Sequence, residues 1–272
     1  MESKLVEIPF DKWPQLRDLY EQHKNLASSY NTLQIFIDWV SQDPTLPLKI
    51  YAANAEWETN GTFVADIQTA NQLFCNTLKD DFTELVNALN CFDNSKLVGG
   101  FPERLMPAVE KHFLDSGLTK DQFMSSGTVW QHISREEALK FNTQLPENIT
   151  TKQLDESHAE QVNRVWPHRT DGSVKFVQHL IKFNKSVGLF EDDQLVAWCL
   201  ILPIGSLGLL QVEETHKRKG LGALAVKLMS KYLAEKGIEV TAPVVFANTP
   251  SRSMFKKLGF NIIDNVYWTF KL

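Results

Sequence analysis

The chain has 272 residues, 43% of them hydrophobic and 22% charged, a balance that supplies a substantial core for one large domain or two small ones. Its three cysteines, Cys75, Cys91 and Cys199, are too few and too scattered for a disulfide framework or a zinc site, so we expect reduced thiols, no metal and a cytoplasmic setting, with a mitochondrial one as the alternative. A net charge of −5 argues against the concentrated basic face that nucleic-acid binding requires, and neither the first ten residues nor the longest apolar run, Leu195 to Ile204, makes a signal peptide or membrane anchor.

In the N-terminal half, apolar periodicity predicts helices over Trp13–Ala27, Leu33–Val40, Asp80–Leu89 and Pro102–Leu114, and strands over Leu48–Ala53 and Thr62–Ile67. This half reads as mixed α and β without a catalytic constellation; His112 and His132 lie near apolar residues and read as structural or surface histidines. The polar segment 142–151, with Pro146, is the expected join, dividing the chain into 1–148 and 149–272. The first part carries 12 Lys+Arg against 21 Asp+Glu and the second 16 against 12, about −9 and +4. That split points to an anion on the C-terminal side, or only to a solvated acidic surface on the other.

Beyond the join, Thr150–Leu154 reads as a strand, Asp155 as the cap of a helix bearing Ala159, Val162, Val165 and Trp166, and Pro167 as its stop. Ser173 reads as the cap of a second helix through Val174, Val177, Leu180 and Ile181. Val187–Phe190 and Leu195–Leu202 form a hairpin around the acidic turn Glu191-Asp192-Asp193, and Leu209–Glu213 is the next strand. A helix with Leu221, Ala225, Leu228 and Tyr232 on one face ends at Gly237. Val240–Ala247 is a strand, Thr249 caps and Pro250 opens a helix that stops at Gly259, and Phe260–Ile263 and Val266–Phe270 are the last strands. The bend before the long helix is an anion cradle: Gly220 and Gly222 lack side chains, so successive backbone N–H groups at a helix N-terminus can close around a pyrophosphate.

This order of elements resembles the GNAT superfamily of acyl-CoA-dependent N-acyltransferases, and two motifs carry the resemblance. Lys217-Arg218-Lys219-Gly220-Leu221-Gly222 is similar to the family's Q/R-x-x-G-x-G/A element, and Asn248 through Phe260 is similar to its N-x-x-A-x-x-L-Y-x-K-L-G-F helix. Leu154 through Trp166, the helix after it and the two-part length look most like the glycine N-acyltransferase-like branch. The resemblance implies an α/β (α+β) fold: a GNAT-like mixed central sheet flanked by helices in the C-terminal half, with an N-terminal α/β half whose elements have suitable lengths for a degenerate copy; Gly99-Gly100, its one close glycine pair, lacks a basic approach, so no second cofactor is expected there. It also implies that Val212 lies on a splayed strand beside the pantetheine, that backbone N–H groups of Arg218, Lys219, Gly220, Leu221, Gly222 and Ala223 hold the pyrophosphate, and that Asn248 bonds the pantetheine arm or the strand gap. Ser251 joins this cofactor-binding set, and Lys217, Arg218, Lys219, Arg252 and Lys256 are candidates to screen the remaining phosphates, although charges beside a turn are commonly just solvated.

Transfer from a thioester to an amine needs a neutral nucleophile, oxyanion stabilisation and a tolerable leaving group. An alkyl amine of pKa about 10 is only about one part in a thousand neutral at pH 7, a cost of roughly 4 kcal/mol unless a base removes its proton. Glu213 and Glu214, at the strand end beside the glycine bend, are the expected catalytic bases, against the alternative that they pair with Lys217 or Arg218; His216 is expected to be exposed. The Val212 N–H is the expected oxyanion donor. Lys217 replaces the family's Gln or Arg, and Phe255 stands where many members carry a tyrosine thought to protonate the thiolate; a CoA thiol, acidic at about 8–9 by analogy with cysteine, leaves without that help. The expected activity is transfer of an acyl group, acetyl first, from acyl-CoA to a small amine or amino acid by direct attack in a ternary complex. The alternatives are a protein N-acetyltransferase and a catalytically silent CoA-binding protein.

Overall fold

The computed structural model describes residues 5–23 and 29–272. The chain divides into two compact units, the first made of 1–129 with 264–272 and the second of 130–263.

The first unit contains β1 (Val6–Ile8), α1 (Trp13–Leu19), α2 (Ser29–Gln42), β2 (Leu48–Ala52), α3 (Trp57–Asn60), β3 (Phe63–Ile67), β4 (Gln72–Asn76), α4 (Thr83–Leu89), β5 (Leu97–Pro102) and α5 (Met106–Asp115). The helix from Trp13 is thus shorter than expected, and residues 24–27 of the predicted span lie outside the described residues. Neighbours from β1 to β4 pair antiparallel, which needs only short connections. The crossover through α4 makes β4 and β5 parallel, but they pair only through Gln72↔Leu97 and Leu73↔Val98. Beyond that, Arg104 ties off the end of β4, its guanidinium donating to Asn76 Oδ1 at 2.9 Å, to Lys79 O at 3.3 Å and to Thr77 O. Val64, Leu73, Leu85, Val98, Phe101 and Phe113 form the core beneath these strands.

The chain crosses between units inside two strands, β6 (Phe123–Ile133) and the last strand. The expected join at 148/149 falls within the second unit, for a local reason. His132 Nε2 meets Glu239 at 2.8 Å, Arg135 meets the same carboxylate at 3.1 Å, and α6 (Arg135–Leu139) packs on the long helix of that unit. The C-terminal residues go to the first unit because Thr269 shares a 2.7 Å hydroxyl bond with Ser125 and Val266 O accepts from Thr128 Oγ1 at 2.9 Å.

The second unit continues with β7 (Thr150–Lys152), α7 (Ala159–Arg164), α8 (Ser173–Phe183), β8 (Val187–Glu191), β9 (Gln194–Ile201), β10 (Leu207–Val212), α9 (Leu221–Glu235), β11 (Val240–Val245) and α10 (Thr249–Lys257). Residues 261–271 form one strand, β12 (Asn261–Lys271), where two were expected. An antiparallel sheet of order β10-β9-β8-β7 is its centre. The β8–β9 hairpin turns on Asp192 and Asp193, both left-handed at φ 48° and 60°, the pair of conformations that matches strand twist in a two-residue turn. β9 is buried along Leu195–Ile201 rather than alternating, because α8 and α9 both pack on it. Two caps differ by one residue from expectation. Left-handed Gly172 precedes α8, and the Ser173 hydroxyl bonds Asn163 instead; Asn248, not Thr249, caps α10, its Oδ1 accepting from Ser251 N–H at 3.1 Å. No helix among the described residues is long and apolar enough to cross a membrane.

His112 is buried in the first unit, Nδ1 lying 3.2 Å from Asn90 Oδ1, and burial pushes its pKa down to about 4. The folded state therefore binds fewer protons than the unfolded chain between about pH 6.5 and 4, so stability falls as pH drops through that window. Urea titrations across it should show a loss of up to about 3 kcal/mol, and the His112→Asn variant should show a flatter pH slope whatever its absolute stability.

Candidate active site

The site is built around an irregularity in β10. Its register with β9 runs Leu207↔Ile201 and Gly208↔Leu200, then resumes at Gln211↔Trp198 and Val212↔Ala197, so Leu209 and Leu210 together oppose Cys199. One extra residue makes a β-bulge, and Leu209 takes a left-handed φ of 45°, which costs a branched residue about 1 kcal/mol or more. Past the bulge, Glu213 N–H bonds Val196 O at 2.8 Å. Antiparallel ladders alternate, so the N–H and C=O of the intervening Val212 point away from β9.

On that outer side lies β11, which approaches β10 but belongs to a different sheet. The resulting opening is a cavity of about 460 Å³. Leu207 through Gln211 form one wall, Pro243, Val244, Val245 and Ala247 another, and Asn248, Ser251 and Phe255 of α10 close one end. The end of α7 and the turn after it, Val162, Val165, Trp166, Pro167 and His168, complete the lining with Trp198. A Gln211 Nε2 bond to Val165 O at 3.4 Å anchors that turn to β10.

The glycine bend follows β10 directly. Gly220 sits at φ 82° as the residue before α9, with open space where a Cβ would be, so its requirement is conformational. Gly222 serves close approach: a Cβ there would stand 3.3 Å from Val212 Cγ2 and 3.8 Å from Met254 Sδ. The first intrahelical bond runs from Leu224 N–H to Gly220 O at 3.0 Å, so the N–H groups of Leu221, Gly222 and Ala223 have no acceptor within the helix. Lys219, Arg218 and Lys217 are exposed beside them, with Arg218 at φ 67°.

The expected catalytic carboxylates are not among the cavity-lining residues. Glu213 Oε1 accepts from Gln161 Nε2 at 2.7 Å and from Arg164 Nη2 at 3.3 Å, while the exposed Glu214 pairs with Lys217 at 2.6 Å. His216 is largely covered rather than exposed, its Nε2 2.7 Å from Glu191, whose carboxyl the bond holds below the ordinary range. Arg252 donates to Phe246 O at 3.0 Å, and Lys256 is exposed. Phe255 is buried edge-on against Phe260, ring centroids 4.9 Å apart. Burial pushes the Cys75 and Cys199 thiols up to about 12, which removes them as nucleophiles.

Residues 186–269 match the family model described as FR47-like protein. A Drosophila protein solved by X-ray crystallography is similar over 98% of both chains, at 23% identity and a TM-score of 0.87. A tandem GNAT protein from the clavulanic acid biosynthesis pathway also aligns over 98% of both chains, at 12% identity and a TM-score of 0.59. A GCN5-related N-acetyltransferase from Kribbella flavida covers 78% of this chain and 87% of its own, at 13% identity and a TM-score of 0.52. This is the GNAT fold. No curated protein matches the chain in sequence.

Sequence reasoning for this GNAT-fold chain named Val212, the glycine bend, Asn248 and Ser251, and the structure brings Asn248 and Ser251 to the cavity and Gly222 against Val212. It missed the bulge and the turn after α7, whose only signal was Pro167 at a helix end. Replacing Gly220 by Ala should lower the unfolding free energy by about 1–2 kcal/mol, the cost of a left-handed Cβ without a clash, measured by urea denaturation.

Proposed function

We propose that this protein is an acyl-CoA-dependent N-acyltransferase that acylates the amine of a small molecule or amino acid by direct attack in a ternary complex, acetyl being the first acyl group to test. The observation that carries this reading is the cavity between β10 and β11, whose wall offers strand-edge backbone groups next to a glycine-lined helix N-terminus. An extended arm bearing amides can pair with such an edge as an added strand. The Val212 N–H is aimed outward from the ladder to serve that arm or a developing oxyanion, and Asn248 and Ser251 offer further polar contacts at the α10 end. A diphosphate suits the three N–H groups of Leu221, Gly222 and Ala223, with Lys217, Arg218 and Lys219 adding positive charge.

The bound thioester supplies an acyl group already activated for transfer. Phe255 cannot donate a proton, so a thiolate would depart to solvent protonation, which its modest basicity permits. The two-part chain, the segment 154–166 and the soluble-enzyme composition favour the glycine N-acyltransferase-like branch and a cytoplasmic setting.

Titration calorimetry should detect CoA and acetyl-CoA binding in the micromolar range, about −8 kcal/mol. Gly222→Val, which fills the space against Val212 and Met254, should weaken it at least about tenfold, about 1.4 kcal/mol. Thiol release from acetyl-CoA with the twenty amino acids and a set of primary alkyl amines tests turnover. Release with peptides alone would favour the protein N-acetyltransferase alternative, binding without release with any acceptor would favour a silent CoA-binding protein, and no binding would end the reading.

A further inference from the structure

Among the residues lining the cavity, one has a side chain that titrates: His168. The other linings from β9, β10, β11 and α10 are apolar or neutral polar, and Glu213 and Glu214 are engaged elsewhere by Gln161, Arg164 and Lys217. His168 is also placed by construction rather than by chance. Trp166-Pro167-His168-Arg169 is a tight turn closed by Arg169 N–H to Trp166 O at 3.2 Å, with proline in the position whose fixed φ suits it. Trp166 stacks on Phe176 of α8, centroids 5.8 Å apart and planes 25° apart, and meets the His168 ring edge-on at 6.2 Å. The Ser173 hydroxyl, which donates to Asn163 and accepts from Thr170 N–H, ties both ends of this turn to the helices.

We propose that His168 is the catalytic base that takes the proton of the acceptor amine. This rests on the acyltransfer reading and adds the group that the reading lacks. The amine enters from the exposed side of the turn. One N–H bond of the ammonium ion breaks toward a free imidazole nitrogen, and the imidazolium passes that proton to water; the neutral nitrogen then forms the new C–N bond, and as the C–S bond breaks with its electron pair leaving on sulfur, the imidazole takes the second N–H proton. The imidazolium then returns its proton to the thiolate or to water. An imidazole ring nitrogen accepts a proton and releases it again, the exchange this step needs. The charged residues adjoining it in the chain are Arg164, Arg169 and Asp171; the elements across the cavity contribute none to its lining.

The test compares wild type with His168→Gln, using acetyl-CoA and the acceptor from the amine panel with the fastest release. At pH 7 the variant should lose about 100-fold in kcat/KM while its CoA affinity by calorimetry stays unchanged. Near pH 10, where an alkyl amine is about half neutral by itself, the deficit should shrink below about tenfold. His168→Ala should regain rate on addition of free imidazole. A deficit under about threefold at pH 7, or one of equal size at both pH values, overturns the assignment and leaves the acyltransferase reading standing. A wild type that binds CoA but releases none with any amine overturns both.

Discussion

The site depends on a ladder that does not form. β10 and β11 run close enough to be neighbours, yet no strand hydrogen bonds join them across the cavity. Backbone groups facing such a gap without partners cost about 1–3 kcal/mol each when cut off from water. The protein holds them there through the bulge at Leu209–Leu210, which shifts the register, and through bonds that fix what lies beyond it, above all Glu213 N–H to Val196 O. Val212 is consequently presented at an edge instead of being absorbed into a sheet. The glycine bend takes its place from the same constraint, since Gly222 is the residue that lets the first turn of α9 approach Val212 so closely.

The first unit shows a strand divergence closed by the chain's own side chain. There β4 and β5 also part after two paired positions, but Arg104 satisfies Asn76 Oδ1, Lys79 O and Thr77 O with its own guanidinium. The segment between β4 and α4, 77–82, contains no glycine, and Phe82 enters α4 at φ −89° where Gly220 gives α9 a left-handed entry. A covalently attached cation occupies carbonyl oxygens permanently, whereas the second unit keeps donors available. Two units built of similar strand-helix alternation thus differ by local chemistry at these two divergences.

Much of the second unit was legible because its signals are local. Amphipathic spacing placed α8 and α9, glycines marked helix ends at Gly237 and Gly259, and the acidic pair at 192–193 marked the hairpin. The misreadings have physical causes too. Asn248 and Thr249 are both good caps, and only the backbone decides which side chain reaches Ser251 N–H. β4 and β5 passed unnoticed because buried strands lack alternation, and β6 because Ser125-Ser126-Gly127 interrupts its apolar pattern. The sequence placed Glu213 at the strand end but could not show that Gln161 and Arg164 bond it, since those partners come from a helix some fifty residues earlier. Equally, a histidine beside a proline at a helix end carries no periodic signal; its relation to the cavity exists only in three dimensions.

The character of the cavity bears on how an amine could react in it. A protonated amine entering a space lined by leucines, valines and aromatic rings loses hydration that no lining carboxylate replaces, and loss of hydration disfavours the charged form of a base. The cavity itself therefore lowers part of the roughly 4 kcal/mol that separates an ammonium ion from its neutral amine at pH 7. A carboxylate placed among these residues would act in the opposite sense before any transfer occurred, holding the ammonium as an ion pair. An imidazole brings no negative charge to hold the cation as an ion pair, and a position at the exposed rim lets it pass a proton to water. Engagement of Glu213 and Glu214 outside the lining and placement of a single imidazole within it are thus two aspects of one electrostatic arrangement.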